Sequence, residues 1–143
     1  MSEAYIPQVY RDLVKERAAG SCEYCKVPDG NDWLSFHIDH IIPRKHGGPT
    51  VLDNLAYACS SCNQHKGYSS AAYRPNSREF VRLFNPRQDD WGKVFTVDES
   101  GLLSSDADFG QATISVLRLN DTFQVQARLL VLELGLYPIH PDS

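Results

Sequence analysis

The sequence of 143 residues contains no apolar stretch long enough to cross a membrane. Its most apolar late segment, LLVLELGLY, is short and is interrupted by Glu133, whereas a spanning helix needs about 20 apolar residues. The amino-terminal residues MSEAYIPQ lack the basic stretch followed by an apolar stretch that is typical of a secretory signal. We therefore expect a cytoplasmic protein that does not enter a membrane.

Internal repeats and low-complexity tracts are also absent from the sequence. Its 42% hydrophobic and 22% charged residues are typical of one globular unit. The net charge of -4 would by itself argue against binding to nucleic acid, but the charge is unevenly distributed. Residues 40–95 hold eight Lys and Arg against four Asp and Glu, and the segments on both sides are acidic. This basic middle segment permits contact with a phosphate backbone without requiring it.

Cysteine is scarce, and its few copies are paired as Cys22-x-x-Cys25 and Cys59-x-x-Cys62. In a reducing compartment such pairs hold metal more often than they form disulfides. Two pairs supply the four thiolates of a tetrahedral zinc site. Because sulfur fills all four positions, this zinc has no place for a water molecule. We therefore predict that the zinc is structural and that any catalysis uses a second ion.

The residues around the cysteine pairs predict a ββα unit preceded by a helix. In chain order, the pattern predicts a helix over Gln8–Ala19, a strand over Leu34–Ile42, a return segment over residues 53–58 and a short helix over Cys62–Lys66. Gly20, Pro43 and Gly67 are the corresponding stop signals. We assign residues 1–20 to an N-terminal helix and residues 21–68 to the core.

The third segment, residues 69–143, is predicted to be a mainly helical extension that packs on the core. Its pattern predicts helices over Ser77–Phe84, Ala112–Leu119 and Thr122–Leu134 and a strand over Lys93–Val97. The last helix has Asp121 as its N-cap and Gln124 three residues further on, which is the pattern of a capping box. Its apolar residues suit either the core or a dimer interface. The predicted fold class is α+β, with a zinc-stapled ββα core.

Four short motifs resemble the pattern of the HNH endonuclease family. They are CEYC, IDHIIPRKHGG, DNLAYAC and CSSCNQHKG, in that order. The family pattern is a cysteine pair, a D-H-I-x-P strand, a glycine turn, an N-L, and a second pair followed by His or Asn and a K-G. The resemblance covers about residues 20–68 and implies a ββα-metal nuclease that acts on DNA. The sequence departs from the family's name at Asn63, where active members with asparagine are known.

The residues inside these motifs suit metal-dependent hydrolysis of a phosphodiester. Asp39 and Asn63 offer oxygen ligands suited to Mg²⁺ or Mn²⁺, and His40 could take the proton from the attacking water. Strict alternation along a strand would place Asp39 and His40 on opposite faces, so they can share a site only if the strand ends there. The resemblance further implies that Asn54 hydrogen-bonds the opposite strand and fixes the backbone and ring of His40, and that the products are a 5′-phosphate and a 3′-hydroxyl.

We therefore predict a metal-dependent endonuclease that either nicks DNA or cuts both strands. Arg44, Lys45 and Lys66 are candidate phosphate contacts, with a solvated surface as the alternative for all three. His65 could be an alternative ligand in a turn that is not helical. The competing prediction is a zinc-knuckle module that binds nucleic acid or protein without cutting, which explains the cysteines alone. A double-strand cut by one such site often needs two copies, so a dimer stays open.

Overall fold

The structure is a computed structural model that describes residues 5–30, 34–135 and 137. The helices are α1 Gln8–Arg17, α2 Ser60–Lys66, α3 Trp91–Val94, α4 Asp108–Val116 and α5 Thr122–Glu133. The strands are β1 Phe36–His40, β2 Leu55–Cys59, β3 Ala71–Tyr73, β4 Phe80–Arg82, β5 Thr96–Val97 and β6 Leu103–Ser104. Short 3-10 helices cover Arg44–His46 and Leu52–Asn54. This mixture of helices and small antiparallel sheets confirms the predicted α+β class.

The strands β1 and β2 pair in antiparallel fashion, with Phe36 opposite Cys59 and His40 opposite Leu55. All five residues of β2 are buried, because the strand runs through the middle of the core. The helix α2 follows β2 without a loop, and the side chain of Cys59 caps it by accepting a hydrogen bond from the backbone N–H of Cys62. The predicted ββα unit and the preceding helix α1 are therefore confirmed.

The extension packs on the first cysteine pair through buried aromatic side chains. The indole Nε1–H of Trp91 donates to the carbonyl oxygen of Tyr24 at 2.9 Å. The hydroxyl of Tyr137 donates to the carbonyl oxygen of Cys25 at 2.9 Å. These bonds occupy backbone acceptors that would otherwise be buried without a partner. The first cysteine pair is consequently held by contacts from the extension as well as by its own sulfur atoms.

The prediction of a helix over Ser77–Phe84 is wrong, because β4 covers residues 80–82 and pairs with β3. Val81 lies opposite Ala72, and the connecting turn contains Asn76 at a φ of 59°. Asparagine tolerates this left-handed conformation better than most residues. The predicted strand over Lys93–Val97 is right only for its end, since residues 91–94 form α3, capped by the side chain of Asp90.

The two late helices are present, with different details. The helix predicted over Ala112–Leu119 begins earlier, at Asp108, and ends at Val116. The helix α5 agrees with its prediction, but the capping box does not form. Asp121 makes no side-chain cap bond, and Gln124 is buried and points away from the helix start. Within the described ranges, no helix is long and apolar enough to cross a membrane.

Candidate active site and metal centre

The four cysteine thiols converge on one buried point. Their Sγ atoms lie within 4.8 Å of one another, and all four residues are fully buried. The Sγ atoms of Cys25 and Cys59 are 3.7 Å apart. Four sulfurs bound to zinc at about 2.3 Å would be separated by about 3.8 Å in a regular tetrahedron. The arrangement therefore fits a structural zinc ion, as the sequence predicts.

Donors surround these sulfurs and suit them to a thiolate state. The backbone N–H groups of Tyr24 and Cys25 donate to Cys22 Sγ at 3.4 Å each. Gln124 of α5 donates through Nε2 to Cys62 Sγ at 3.6 Å. Hydrogen bonds to bound thiolates spread their negative charge, which favours metal binding. The contact from Gln124 escapes sequence-based prediction, since its spacing from Asp121 favours a cap instead.

Beside the zinc site, the end of β1 borders a cavity of about 690 Å³. Its lining includes Asp39, His40, Asn63, Arg44, Lys45 and Tyr68. Asp39 and His40 both border it although both lie in the paired part of β1, because the cavity runs along the strand and is lined by all five of its residues. Three of the four residues that the sequence assigns to catalysis thus meet at one cavity. The fourth, Asn54, does not line it.

The imidazole of His40 is partly buried and held from one side. Its Nε2 lies 2.9 Å from the hydroxyl oxygen of Thr50, which leaves Nδ1 as the ring nitrogen without a bond to a described residue. Burial lowers the pKa of His40. The negative charge of Asp39 raises this pKa, and the positive charges of Arg44 and Lys66 lower it. The neutral ring, which can accept a proton, is therefore favoured. Nothing in the sequence marks Thr50 for this role.

Asn54 holds the loop that carries Thr50. Its Oδ1 accepts from the backbone N–H of Ile42 at 2.9 Å, and its Nδ2 donates to the carbonyl oxygens of Ile42 at 3.0 Å and Pro49 at 2.9 Å. Asn54 thus binds backbone just beyond β1 and positions the loop before Thr50. The direct bond to the His40 ring comes from Thr50, so Asn54 acts on the ring through this loop.

Gly48 lies where this loop passes closest to the chain beyond β1. A Cβ atom at this position would lie 1.7 Å from the carbonyl oxygen of Ile42 and 2.9 Å from Nδ2 of Asn54. Such approaches are far shorter than van der Waals contact. The second glycine of the predicted turn is therefore required by space, whereas it is the first, Gly47, that has the left-handed backbone conformation, with a φ of 91°.

Asp39 is 6% exposed and makes two strong contacts. Its Oδ2 accepts from the hydroxyl of Tyr24 at 2.8 Å and lies 3.1 Å from Nζ of Lys66. Burial raises the pKa of the Asp39 carboxyl, and Lys66 and Tyr24 oppose that effect. An ionised carboxylate has about four acceptor positions, so Oδ1, whose contact with Lys66 is a long 3.4 Å, retains capacity for a cation.

Lys66 is 2% exposed and does not face solvent. In addition to its pairing with Asp39, its Nζ donates to the carbonyl oxygens of His40 at 3.2 Å and Ile41 at 3.0 Å. An ammonium group has three donors, and these contacts use all of them. The structure thus contradicts the prediction that Lys66 meets a nucleic-acid phosphate. The ammonium group of Lys66 instead holds the backbone at the end of β1, beside the cavity.

The remaining site residues lie at the cavity rim. Asn63, on the first turns of α2, borders the cavity with a partly exposed side chain. Arg44 and Lys45 are exposed on the 3-10 helix after Pro43 and also border it. The sequence did not indicate Arg11, which reaches the same cavity from α1, because a single basic residue on an amphipathic helix carries no distinctive signal.

His65 does not join the cavity. The helix α2 continues through Lys66, so the turn that would have made His65 an alternative ligand is absent. Its Nδ1 is buried without a hydrogen-bond partner among the described residues.

Residues 22–69 match the family described as HNH endonuclease. The match covers about a third of the chain and includes the four cysteines, β1, β2, α2 and the catalytic candidates. No curated protein and no solved structure matches the chain. This match agrees with the resemblance noted in the motifs and confirms it over this segment.

Proposed function

We propose that this protein, whose residues 22–69 match the HNH endonuclease family, is a metal-dependent nuclease that hydrolyses phosphodiester bonds in DNA. One observation carries the proposal: Asp39, His40 and Asn63 border a single cavity next to the four-cysteine site. A zinc-knuckle module that binds without cutting would need the four cysteines for its fold, but it would not need these three side chains beside one cavity. The choice of DNA follows from the family resemblance.

His40 is the base that removes the proton from the attacking water. When Nε2–H donates to the hydroxyl oxygen of Thr50, Nδ1 carries the free lone pair that accepts this proton. The lowered pKa keeps the ring unprotonated near neutral pH, as this role requires. Base catalysis of this kind typically contributes about a hundredfold to ten-thousandfold in rate.

Asp39 and Asn63 are the residues that would hold Mg²⁺ or Mn²⁺. Their carboxylate and amide oxygens are the ligand types that these ions prefer. The ion, when bound, offsets negative charge on the scissile phosphate and on the leaving oxygen. The buried ammonium of Lys66, 3.1 Å from Oδ2 of Asp39, holds this carboxylate in place beside the cavity.

Basic residues around the cavity would position the phosphate backbone. Arg44, Lys45 and Arg11 border it from two different parts of the chain. Arg11 uses its Nε to donate to the carbonyl oxygen of Ile6 at 3.2 Å, which leaves its terminal nitrogens for a phosphate. Arginine and lysine contacts to phosphate position a nucleic acid without reading its sequence.

The test is cleavage of supercoiled plasmid by the zinc-loaded full chain with added Mg²⁺ or Mn²⁺. We expect His40→Ala to reduce cutting by about a hundredfold or more. The matched control is His46→Ala, because His46 is the exposed last residue of the 3-10 helix after Pro43 and does not border the cavity. Accumulation of nicked or of linear plasmid distinguishes a single-strand from a double-strand cut, and RNA of matched sequence serves as the comparison substrate.

The proposal fails if the folded, zinc-loaded protein cuts no better than His40→Ala with either ion. Binding of nucleic acid that persists without divalent ions and never yields product would support the alternative of a non-catalytic zinc-knuckle module.

A further inference from the structure

Two large aromatic rings stand exposed on the hairpin formed by β3 and β4. Tyr73 and Phe80 are each 62% exposed and lie directly opposite each other in the strand register. Their ring centroids are 5.0 Å apart, with 68° between the ring planes. Such a pair stabilises a hairpin modestly, but it leaves most of both rings in water. An exposed aromatic cluster of this kind is typical of a binding surface.

The hairpin is anchored firmly enough to present these rings. Arg82 of β4 pairs with both carboxylate oxygens of Asp89, at 2.6 and 2.9 Å. Its guanidinium also lies 4.2 Å from the ring centroid of Phe109 on α4. Val81 and Ala72 pack against the core from the other side of the hairpin. The aromatic pair is therefore held on a rigid base and is not part of a loose loop.

The charges around the hairpin favour a polyanion as its ligand. Arg78 in the connecting turn is exposed and Arg74 partly exposed, and neither forms an ion pair with a described residue. Residues 71–82 contain three arginines against one carboxylate, that of Glu79, and one of the three, Arg82, is paired with Asp89. A protein partner would be met equally well by apolar residues without this excess of positive charge. Rings combined with cations are the combination that binds bases and phosphates together.

The hairpin lies within reach of the catalytic cavity. Tyr68 borders that cavity and is 44% exposed, with Nζ of Lys45 lying 5.0 Å from its ring centroid. Tyr73 follows Tyr68 by five residues, which places the two Cα atoms at most roughly 18 Å apart. At about 3.4 Å per nucleotide along one strand, this span corresponds to about five nucleotides. A strand seated in the cavity can therefore extend to the hairpin.

We infer that Tyr73 and Phe80, with Arg74 and Arg78, form a base-stacking site for an unpaired, single-stranded segment of the substrate. The inference rests on the proposed nuclease function. Stacking on a side chain requires that the face of a base be free, and in a duplex both faces are covered by neighbouring base pairs. The preferred substrate is accordingly a nucleic acid with an unpaired stretch beside the scissile phosphate, and not a uniform duplex.

The test is fluorescence anisotropy with the zinc-loaded full chain and no added divalent ion. The probes are a labelled single-stranded DNA of about 12 nucleotides, its RNA counterpart and the blunt DNA duplex of the same sequence. We expect Tyr73→Ala/Phe80→Ala to weaken binding of single strands by on the order of tenfold or more, because stacking is lost at two rings. Duplex binding should stay within about twofold, since it depends on the phosphate contacts.

Two controls separate stacking from hairpin stability. Tyr73→Phe retains the ring and should bind as the wild type does. Phe123→Ala removes an exposed ring of α5 outside the hairpin and should change nothing. If the double alanine variant melts at a lower temperature, Tyr73→Leu/Phe80→Leu retains an apolar cross-strand contact without an aromatic face and should show the same loss.

Unchanged single-strand binding in the folded double variant would overturn the inference, as would an equal loss on the duplex. Plasmid cleavage distinguishes this failure from failure of the proposed function. Ring-dependent binding of single strands by a protein that cuts no plasmid would reject the nuclease alone, whereas plasmid cleavage together with single-strand binding that is indifferent to both rings would reject the stacking site alone.

Discussion

Replacing Lys66 with methionine should destabilise the protein by about 3–5 kcal/mol at neutral pH, the typical cost of removing one partner from a buried ion pair. Methionine preserves most of the apolar stem, so loss of packing is a minor part of this figure. The main loss is the ammonium that lies 3.1 Å from the Asp39 carboxylate. The carbonyl oxygens of His40 and Ile41 also lose their donor, and an unsatisfied buried group costs about 1–3 kcal/mol.

The loss of unfolding free energy in Lys66→Met should depend on pH in a defined direction. Without Lys66, burial raises the pKa of Asp39 further above its unfolded value of about 3.9. A carboxyl whose folded pKa is raised is most stabilising below its unfolded pKa, and that stability is lost as the pH rises through the folded pKa. The variant should therefore lose stability relative to the wild type as the pH rises toward neutrality, and the difference should narrow as the pH falls toward the lower end of the range in which the thiolates still hold zinc.

Urea unfolding of the zinc-loaded protein, followed by circular dichroism at several pH values, measures both effects. Lys93→Met is the matched control, because Lys93 is exposed on α3, and it should change the free energy of unfolding by less than about 0.5 kcal/mol. The double variant Lys66→Met/Asp39→Asn should be more stable than the sum of the single losses by about 1 kcal/mol or more. A loss below about 1 kcal/mol for Lys66→Met, or strict additivity, would refute the reasoning.

Three further outcomes follow from the site. Cys59→Ser removes one of four zinc ligands and should unfold the core, because structural zinc contributes folding free energy; a native circular dichroism spectrum without zinc would contradict this. Thr50→Val keeps the shape of the side chain but loses the bond to His40 Nε2. The kcat should therefore fall about tenfold with KM unchanged, which is a modest part of the total contribution of base catalysis. An unchanged kcat would show that Thr50 has no part in the mechanism. Gly48→Ala places a Cβ 1.7 Å from a backbone oxygen and should cost about 1–3 kcal/mol in urea unfolding, whereas a neutral result would mean that the loop relocates freely.

The core could be predicted from sequence because its signals are local. The spacing of Cys22 and Cys25, and of Cys59 and Cys62, specifies two knuckles regardless of what surrounds them. Pro43 and Gly67 mark the ends of a strand and a helix through their own backbone preferences. The positions of Asp39, His40 and Asn63 could be predicted for the same reason, since they lie within a few residues of these markers, whereas their catalytic roles stay predictions.

The missed features depend instead on distant partners. Lys66 has the spacing of a surface residue, but it becomes buried because it meets a carboxylate 27 positions earlier in the chain. Gln124 has the spacing of a cap, but a sulfur 62 positions away offers a better-placed acceptor. Residues 77–84 contain a local helix signal that is overridden when Phe80 pairs with Tyr73 across the hairpin. In each case a tertiary contact outweighs a local preference of about 1 kcal/mol or less.

The helix α2 connects the zinc site to the cavity, so the geometry of one depends on the other. It has seven residues, or about 10 Å of helix, and a helix this short is not stable alone in water. Its start is fixed by the cysteine ligands Cys59 and Cys62, and its end is fixed by the pairing of Lys66 with Asp39. Asn63 lies between these two anchors, so its position relative to His40 is set by both. Loss of either anchor should therefore displace Asn63 from the cavity, even though neither the zinc nor Lys66 is expected to touch the substrate.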